Sequence, residues 1–269
     1  MNTDLHVSID SNARGRGLLD FLKKPIETFQ DFLFLSGRAF RNIFRSPHYA
    51  DDILLQMDAI GVGSLFIVVL IGFFSGVVMS LQMSRALATY GAQGKIGEIV
   101  SITLVRELGP VLTAVLVAGR NASGIASELG SMRVTEQIDA MRALGTDPIQ
   151  KLVTPRLIAT AIVLPLLTII ADFIGLIGGG FIAAMMMNIA FSQYWSSAWR
   201  TLEYNDLLQG LIKPFLFAIV IALVGCYYGI TTSGGTQGVG RATTKAVVVS
   251  SVWIFVITSL LDPLFVNLK

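Results

Sequence analysis

The sequence predicts an all-α integral membrane protein, with an N-terminal interfacial helix, about five transmembrane helices and a short cytoplasmic helix between two of them. Of its 269 residues, 53% are hydrophobic and 14% are charged, whereas soluble domains carry about 25% charged residues. Residues 60–83 contain no ionisable side chain, and a run of roughly 18 or more such residues is long enough to cross a bilayer. A polar segment, residues 127–148, stands between two apolar stretches.

The N-terminal region divides into two parts. Residues 1–17 are polar, and we expect a disordered tail. Residues 18–45 are amphipathic, with basic residues beside an apolar stripe, which is typical of a helix lying in the membrane interface. A helix packed on the protein itself is the alternative. Pro25 and Gly37 are expected to bend or break it. The stripe consists of Leu18, Leu22, Ile26, Phe29, Leu33, Phe40 and Phe44.

Apolar blocks predict the transmembrane helices, which are residues 60–83, 99–126, 157–191, 207–232 and 246–266. The third block has 35 residues and one charge, Asp172. At 1.5 Å per residue it measures about 50 Å, so we interpret it as one long helix that extends past the membrane. Glycines recur four residues apart in three blocks, which favours close helix packing. These pairs are Gly72–Gly76, Gly175–Gly179 and Gly225–Gly229.

The distribution of basic residues predicts the orientation. Fourteen Lys and Arg residues fall in residues 1–59, 120–156 and 233–245, against four in residues 84–98, in the 192–206 loop and at the C-terminus. Because cytoplasmic loops are enriched in Lys and Arg, the N-terminus is expected in the cytoplasm. Five spans then place the C-terminus on the opposite side of the membrane, which is the periplasmic side if the protein is in a bacterial inner membrane.

The polar segment 127–148 has the pattern of a short independent helix. Its apolar side chains form a narrow stripe of Ile138, Met141 and Leu144. Thr135 is a candidate N-cap, and Gly145 and Pro148 are typical of a helix end. We therefore predict a cytoplasmic helix over residues 133–144 whose stripe packs on a partner. A solvated helix without a partner is the alternative.

Several kinds of chemistry are not indicated. The stretch from Gly235 to Ala242 resembles a nucleotide-binding loop, but it lacks the Lys and follows an apolar span where that motif requires a strand. His6 and His48 are far from any Cys or carboxylate cluster, so no metal site is expected. We predict that the chain is not an enzyme, binds no cofactor and has no nucleic-acid partner. A docking helix without a nucleotide site suggests an energy source on another subunit.

Residues 104–159, from LVRELGPVLTAVLVAGRNASGIASELGSM to the end of TPRLIA, resemble the signature region of MlaE-type permeases. Residues 233–248, SGGTQGVGRATTKAVV, match a turn of the same family. These permeases are the membrane subunits of bacterial lipid ABC transporters that work with MCE-domain proteins. The resemblance covers nearly the whole chain, so we assign residues 18–268 to one permease domain.

The resemblance implies a homodimer in the bacterial inner membrane, in which each subunit binds a cytosolic ATPase through a coupling helix. It also implies a periplasmic MCE-domain protein, in some systems a STAS-domain protein, and phospholipid as cargo between inner and outer membranes. The matching coupling residues are Arg133, Glu136, Gln137, Asp139, Met141 and Arg142. The candidate lipid-cavity residues are Val78, Met79, Leu81, Gln82, Tyr90, Arg106 and Glu107.

Arg106 and Glu107 are also functional candidates on physical grounds. A charge at bilayer depth costs about 2.5–3.5 kcal/mol on insertion scales, so a charged residue at that depth is a candidate for a functional role. Neighbouring residues on a helix point about 100° apart, and the two are not expected to pair with each other. Arg106 is expected to attract a lipid phosphate. The alternative is that both are solvated at the far interface.

Two other classes of function remain open. A gradient-driven carrier could relay protons through Asp172 and Glu107, and it would work without an ATPase. A membrane scaffold would transport nothing. Co-purification of a stoichiometric ATPase subunit separates the ATP-driven transporter from both.

Overall fold

The computed structural model describes the backbone of residues 11–47 and 49–267 and the side chains of residues 27–47 and 49–265. Residues 1–10 of the expected tail, the two histidines, and the side chains of Leu18, Leu22 and Ile26 lie outside this part. The helices are α1 Ser11–Ile43, α2 Ala50–Thr89, α3 Ile96–Thr103, α4 Gly109–Val117, α5 Ser123–Val134, α6 Gln137–Ala143, α7 Thr154–Met187, α8 Phe191–Thr201, α9 Tyr204–Ile230 and α10 Gly235–Asn267.

Within the described residues, five helical segments are long and apolar enough to cross a membrane. They are Ala50–Thr89, Gln93–Val134, Ile149–Met187, Tyr204–Ile230 and Gly235–Phe265. This confirms the predicted all-α class with five candidate spans. The second segment comprises α3, α4 and α5, which are joined by π-helical turns at Leu104–Leu108 and Ala118–Ala122. A third π-helical turn, Ile149–Val153, leads into α7.

Helix ends differ from the apolar blocks where the helix continues into polar sequence. α10 begins at Gly235, eleven residues before the predicted 246. The prediction began too late because the first turns of α10 are not apolar. α7 is one continuous helix, as predicted, but it ends at Met187 rather than at 191. Asn188 adopts the left-handed conformation there, with φ of 52°, which terminates a helix in the way that Gly or Asn commonly does.

Consecutive spans alternate in direction, and the connecting helices mark the two ends of the bundle. α6 lies at one end, which we name the α6 end, together with α1, whose Asn42 Nδ2 donates to Asp147 Oδ2 over 3.3 Å. α8 lies at the other end, which we name the α8 end, and packs on α3. α10 terminates at the α8 end. The two termini of the bundle therefore lie at opposite ends, as an odd number of spans requires.

α1 is one continuous helix, so it does not break at Pro25 or Gly37, and it includes residues 11–17, which were expected to be disordered. Its second half is supported by tertiary packing, since Leu35 and Ala39 are buried in a core cluster shared with α7 and α9. The stripe residues with described side chains, Phe29, Leu33, Phe40 and Phe44, are exposed. α1 thus presents one apolar face to the bundle and a second one outward.

α2 and α7 make the most extensive contact between helices, and glycines allow it. A Cβ on Gly72 would lie 2.6 Å from the carbonyl oxygen of Ala171, and one on Gly76 would overlap that of Gly175. Gly225 and Gly229 of α9 also approach the second span closely, at Ala122 and Ala126. The predicted role of the spaced glycines in close packing is confirmed for these contacts.

The 192–206 segment is not a loop, because it contains the amphipathic helix α8. Tyr194 and Ala198 of this helix are buried, whereas its Trp199 is half exposed. Burial raises the pKa of the Tyr194 hydroxyl, which therefore stays neutral. Gly97 of α3 approaches the backbone of α8 at Tyr194 closely. The eleven-residue helix was missed because the segment has no long apolar run.

We expect Gly76→Ala to lower the apparent melting temperature of the purified protein in detergent. The added methyl group forces α2 away from α7, and overpacking of this kind costs about 1–3 kcal/mol. Gly61→Ala is the matched control on the same helix, because its Cβ would meet only Val163 Cγ1 at 3.4 Å. Equal melting temperatures for the two variants would contradict the packing argument.

Candidate functional site

Five charged side chains meet inside the bundle towards the α8 end, and we call them the charged cluster. They are Arg106 and Glu107 of the first π-helical turn, Asp206 and Lys213 of α9, and Asp262 of α10. Arg106 Nε donates to the buried Asp206 Oδ1 over 2.6 Å. Lys213 Nζ lies 2.8 Å from Glu107 Oε1 and 2.6 Å from Asp262 Oδ1. The cluster joins three spans.

Local backbone geometry supports the buried Lys213. Pro110 lacks the N–H that would bond the Arg106 carbonyl in a regular α-helix, and Lys213 Nζ donates to that carbonyl over 2.8 Å. The π-helical turn places Arg106 and Glu107 so that both reach α9. Lys213 is fully buried, and a buried charge persists only when it is paired and hydrogen-bonded. Here Lys213 donates hydrogen bonds to the Arg106 carbonyl and to Glu107, and Asp262 adds an ion-pair contact.

The partners of Arg106 and Glu107 are the residues that sequence analysis missed. Asp206, Lys213 and Asp262 lie about 100 or more residues away from Arg106 and Glu107 along the chain. A lone Lys in the apolar block 207–232 was the available signal, since an ionisable side chain in a span generally has a partner. Arg106 is thus not a free cation, because the Asp206 carboxylate is bound to it.

The remaining predicted cavity residues lie on or just after α2. Val78 is half exposed, and Met79 packs in a core cluster with Val100 and Leu176. Leu81 and Gln82 line a cavity of about 500 Å³ at the α8 end, together with Arg85, Met186 and Met187. Tyr90 follows the last turn of α2 and is 84% exposed.

The structure does not bring all seven residues together within one chain. Arg106 and Glu107 face α9 and α10 through their ion pairs, whereas α2 packs chiefly on α7. The predicted set is therefore two groups: the α2 group beside the cavity of about 500 Å³, and the pair within the charged cluster.

Asp172 of α7 is a further polar group at membrane depth. It is buried, and its Oδ1 has no hydrogen-bond partner in the described part of the chain. It packs against Gly109, where a Cβ would overlap its carboxyl group. It lines an apolar cavity of about 270 Å³ with Phe173 and Trp199. Glu107, the other acid of the suggested proton relay, is bonded to Lys213 rather than to Asp172.

The polar helix at the α6 end is shorter than predicted. α6 begins at Gln137, because Glu136 adopts a left-handed conformation with φ of 60°, and Arg133 belongs to the last turn of α5. Thr135 does not cap α6, since its hydroxyl donates to the Ser131 carbonyl over 2.8 Å. Asp139 forms ion pairs with Arg133 of α5 and Arg142 of α6. All three side chains are partly exposed, so these pairs contribute about 1 kcal/mol or less to stability.

Two of the three apolar side chains in the stripe of α6 pack against other helices of the same chain. Ile138 is fully buried and Met141 packs on the same core cluster. The expectation that both pack on a partner is therefore wrong. Leu144 remains 85% exposed, and Glu136, Gln137, Asp139 and Arg142 are exposed beside it. This exposed surface of α6 has one apolar side chain surrounded by charged and polar ones.

Known proteins are similar to this chain over nearly its whole length. Residues 53–264 match the family model described as Permease MlaE. A probable ABC transporter permease protein of Rickettsia felis is 39% identical over 255 residues, covering 95% of this chain and 97% of the relative. One from Synechocystis sp. is 42% identical over 223 residues, covering 83% and 85%. The chloroplastic protein TRIGALACTOSYLDIACYLGLYCEROL 1 of Arabidopsis thaliana is 36% identical over 231 residues, covering 86% and 66%.

Lys213→Met is expected to destabilise the protein strongly, because it leaves Glu107 and Asp262 without their common cation. We expect a loss towards the lower end of the roughly 3–5 kcal/mol measured for broken buried pairs, since both acids are partly exposed. Lys151→Met is the matched control. It removes an ion pair with Asp52 that is about one-third exposed on both sides, so its cost is about 1 kcal/mol or less.

Adding Glu107→Gln to Lys213→Met should restore part of the stability, because it removes one unpaired charge. Thermal unfolding in detergent measures all three variants. A double variant that is less stable than Lys213→Met alone would contradict the ion-pair assignment.

Proposed function

The chain belongs to the MlaE permease family, and from that premise we propose that it is the membrane subunit of an ATP-driven phospholipid transporter. It is a multi-pass transporter permease. In the proposal, a separate cytosolic ATPase supplies the energy, and phospholipid moves between the inner and outer membranes of a bacterial cell. ATP and Mg²⁺ bind to that ATPase and not to this chain.

The exposed surface of α6 is the observation that carries the proposal. Leu144 is exposed on the described chain, whereas Ile138 anchors the helix from below. A rigidly anchored helix with an exposed mixed surface suits a contact that transmits force. The names of the relatives, probable ABC transporter permease proteins, support an ATPase as its partner.

The proposed orientation places the α6 end in the cytoplasm. Most of the Lys and Arg residues lie at this end, in and after α1, around α6 and in the first turns of α10, in keeping with the bias of cytoplasmic segments. The C-terminus of α10 is then periplasmic, in the bacterial inner membrane. The ATPase docks on α6, and an MCE-domain protein docks at the α8 end. A STAS-domain protein is a further proposed partner.

A homodimer supplies the missing walls of the lipid path in this proposal. α2 and α10 are the least covered spans, with 22% and 11% of their most apolar windows buried. Their exposed apolar side chains include Phe66, Phe74, Val252 and Phe255. Pairing two copies through these helices brings the α2 group of one subunit towards the charged cluster. Apolar walls and few polar groups are what two acyl chains and one phosphate require.

Lipid as the cargo is supported by the chemistry of these walls. The name of the Arabidopsis relative refers to trigalactosyldiacylglycerol, which is a lipid. A gradient-driven carrier is the rival, with Asp172 as its proton-binding group. Purified protein in lipid vesicles separates the two, because the carrier would move lipid under a proton gradient without any ATPase.

Glu136→Lys combined with Asp139→Lys should abolish stimulation of the co-purified ATPase while the permease stays folded. Both side chains are exposed at the α6 end, and removing one charged partner from a docking interface costs roughly 2–5 kcal/mol. Size-exclusion chromatography and ATPase assays measure the two properties. Arg200→Glu, an exposed charge reversal on α8, is the control and should leave stimulation unchanged. Full stimulation by the double variant would exclude α6 as the docking helix.

A photocrosslinking residue at Gln82 should capture phospholipid in membranes. Gln82 lines the cavity of about 500 Å³ at the α8 end, where a bound lipid is held in place long enough to react. Phe181 of α7 is the control, because it is half exposed at a similar depth without lining that cavity. Mass spectrometry of the adducts gives the yield. Equal yields at both positions would mean that Gln82 meets only bulk lipid.

A further inference from the structure

A polar cavity of about 350 Å³ lies between α2 and α5, apart from both the charged cluster and the exposed surface of α6. Its polar lining residues are Gln56, Ser64, Arg120, Asn121 and Glu128. None of them belongs to the site predicted from the sequence. The cavity is large enough for a phosphate group with a short substituent.

Arg120 is the principal cation of this cavity. It belongs to the second π-helical turn, Ala118–Ala122, and its guanidinium forms no ion pair or hydrogen bond with the described residues. The guanidinium lies against the backbone of α2 at Gly63, where a Cβ would be 2.5 Å from Nη2. The absence of a side chain at Gly63 therefore makes room for Arg120 at this place.

Ser64 provides a second, independent indication of a ligand. It is 1% exposed, and its Oγ has no hydrogen-bond partner in the described chain. Several buried hydroxyls elsewhere in the bundle donate to the carbonyl four residues earlier, as Thr168 does to Leu164. Ser64 does not, and neither do the buried Ser80 and Ser250, but of these three serines only Ser64 lines this cavity. A buried polar group without a partner is costly. The Ser64 hydroxyl is available to a molecule in the cavity.

The charge balance of the cavity is positive. Glu128 is paired with the buried Arg156 through a 2.7 Å contact, so its charge is already balanced. Arg120 is not balanced by any acid among the residues that the structure describes. Asn121 is held in place by its Nδ2, which donates to Thr160 Oγ1 over 3.1 Å. The arrangement is one unpaired cation beside one buried hydroxyl, which favours an anion.

The depth of the cavity narrows the class of anion. Gly63 and Ser64 lie at the beginning of the apolar block 60–83, close to where the hydrocarbon layer begins at the α6 end. Lipid phosphates occupy that depth in the adjacent leaflet. An arginine donates two parallel hydrogen bonds to phosphate, and such charge-assisted bonds are stronger than neutral ones.

We propose that this cavity binds a phosphate group, with the Arg120 guanidinium and the Ser64 hydroxyl as donors. The phosphate comes either from a phospholipid headgroup or from free phosphate. The first source rests on the proposed lipid transport and gives the path a headgroup contact at the α6 end, opposite the charged cluster. Binding of free phosphate does not depend on the proposed lipid transport.

The experiment measures binding to the purified full-length protein in maltoside detergent by microscale thermophoresis. Three probes separate the sources: dihexanoyl phosphatidic acid, inorganic phosphate, and dihexanoylglycerol, which has the tails without the phosphate. We expect phosphatidic acid to bind and dihexanoylglycerol to bind much more weakly. Arg120→Gln should weaken phosphatidic acid binding by about tenfold or more, the loss expected for hydrogen bonds to a charged group.

Gly63→Ala tests the position of the Arg120 guanidinium without changing the charge of the cavity. The added Cβ displaces the guanidinium, and the flexible Arg120 side chain can move aside without disrupting the fold. It should also weaken binding, whereas the matched control Gly61→Ala should not. Ser64→Ala should weaken binding without lowering the melting temperature, since its hydroxyl has no partner within the described chain. Arg241→Gln, an exposed arginine at the same end, should leave binding unchanged.

The outcomes are distinguishable. Phosphatidic acid binding that depends on Arg120, with little binding of inorganic phosphate, supports the lipid headgroup. Equal Arg120-dependent binding of both probes supports a free-phosphate site, and this result stands even if lipid transport fails. Unchanged binding in Arg120→Gln, or equal losses in Arg120→Gln and Arg241→Gln, overturns the proposal.

Discussion

A lysine buried without access to water must obtain every interaction from the protein, and Lys213 obtains its interactions from two neighbouring spans besides its own. Its ammonium group is bonded to the Arg106 carbonyl and paired with Glu107 and Asp262. Taking such a charge out of water costs several kcal/mol, so the relative positions of α9, α10 and the second span cannot change freely at this depth. The ion pair of Arg106 with Asp206 adds a further contact between α9 and the second span.

The second span departs from regular α-helix at two places, and each departure carries an arginine. The turn Leu104–Leu108 presents Arg106 to α9, and the turn Ala118–Ala122 presents Arg120 to α2. π-helical turns are rare and are frequently found at functional sites. The first turn also leaves a carbonyl for Lys213. The turn Leu104–Leu108 therefore has two effects: it directs the Arg106 side chain towards α9, and it leaves a carbonyl that accepts a hydrogen bond from the buried Lys213.

Much of the fold follows from local sequence, because a bilayer requires long apolar helices and small residues where helices approach. The five spans and the glycine contacts of Gly72 and Gly76 could be predicted on these grounds. α8 could not be predicted, because a sequence of eleven residues of mixed polarity looks the same in a helix and in a loop. Only the burial of Tyr194 in the folded chain distinguishes the two. The partners of Arg106 and Glu107 were also missed, because pairing across about 100 or more residues depends on the packing of whole helices.

The burial of Ile138 determines how α6 responds to a force applied to it. Ile138 belongs to one core cluster with Leu35 of α1, Leu157 of α7 and Cys226 of α9. Close-packed interiors are nearly incompressible, so α6 cannot shift alone, as a hinged flap would. A displacement of α6 would therefore be transmitted to the ends of α1, α7 and α9 that pack against Ile138.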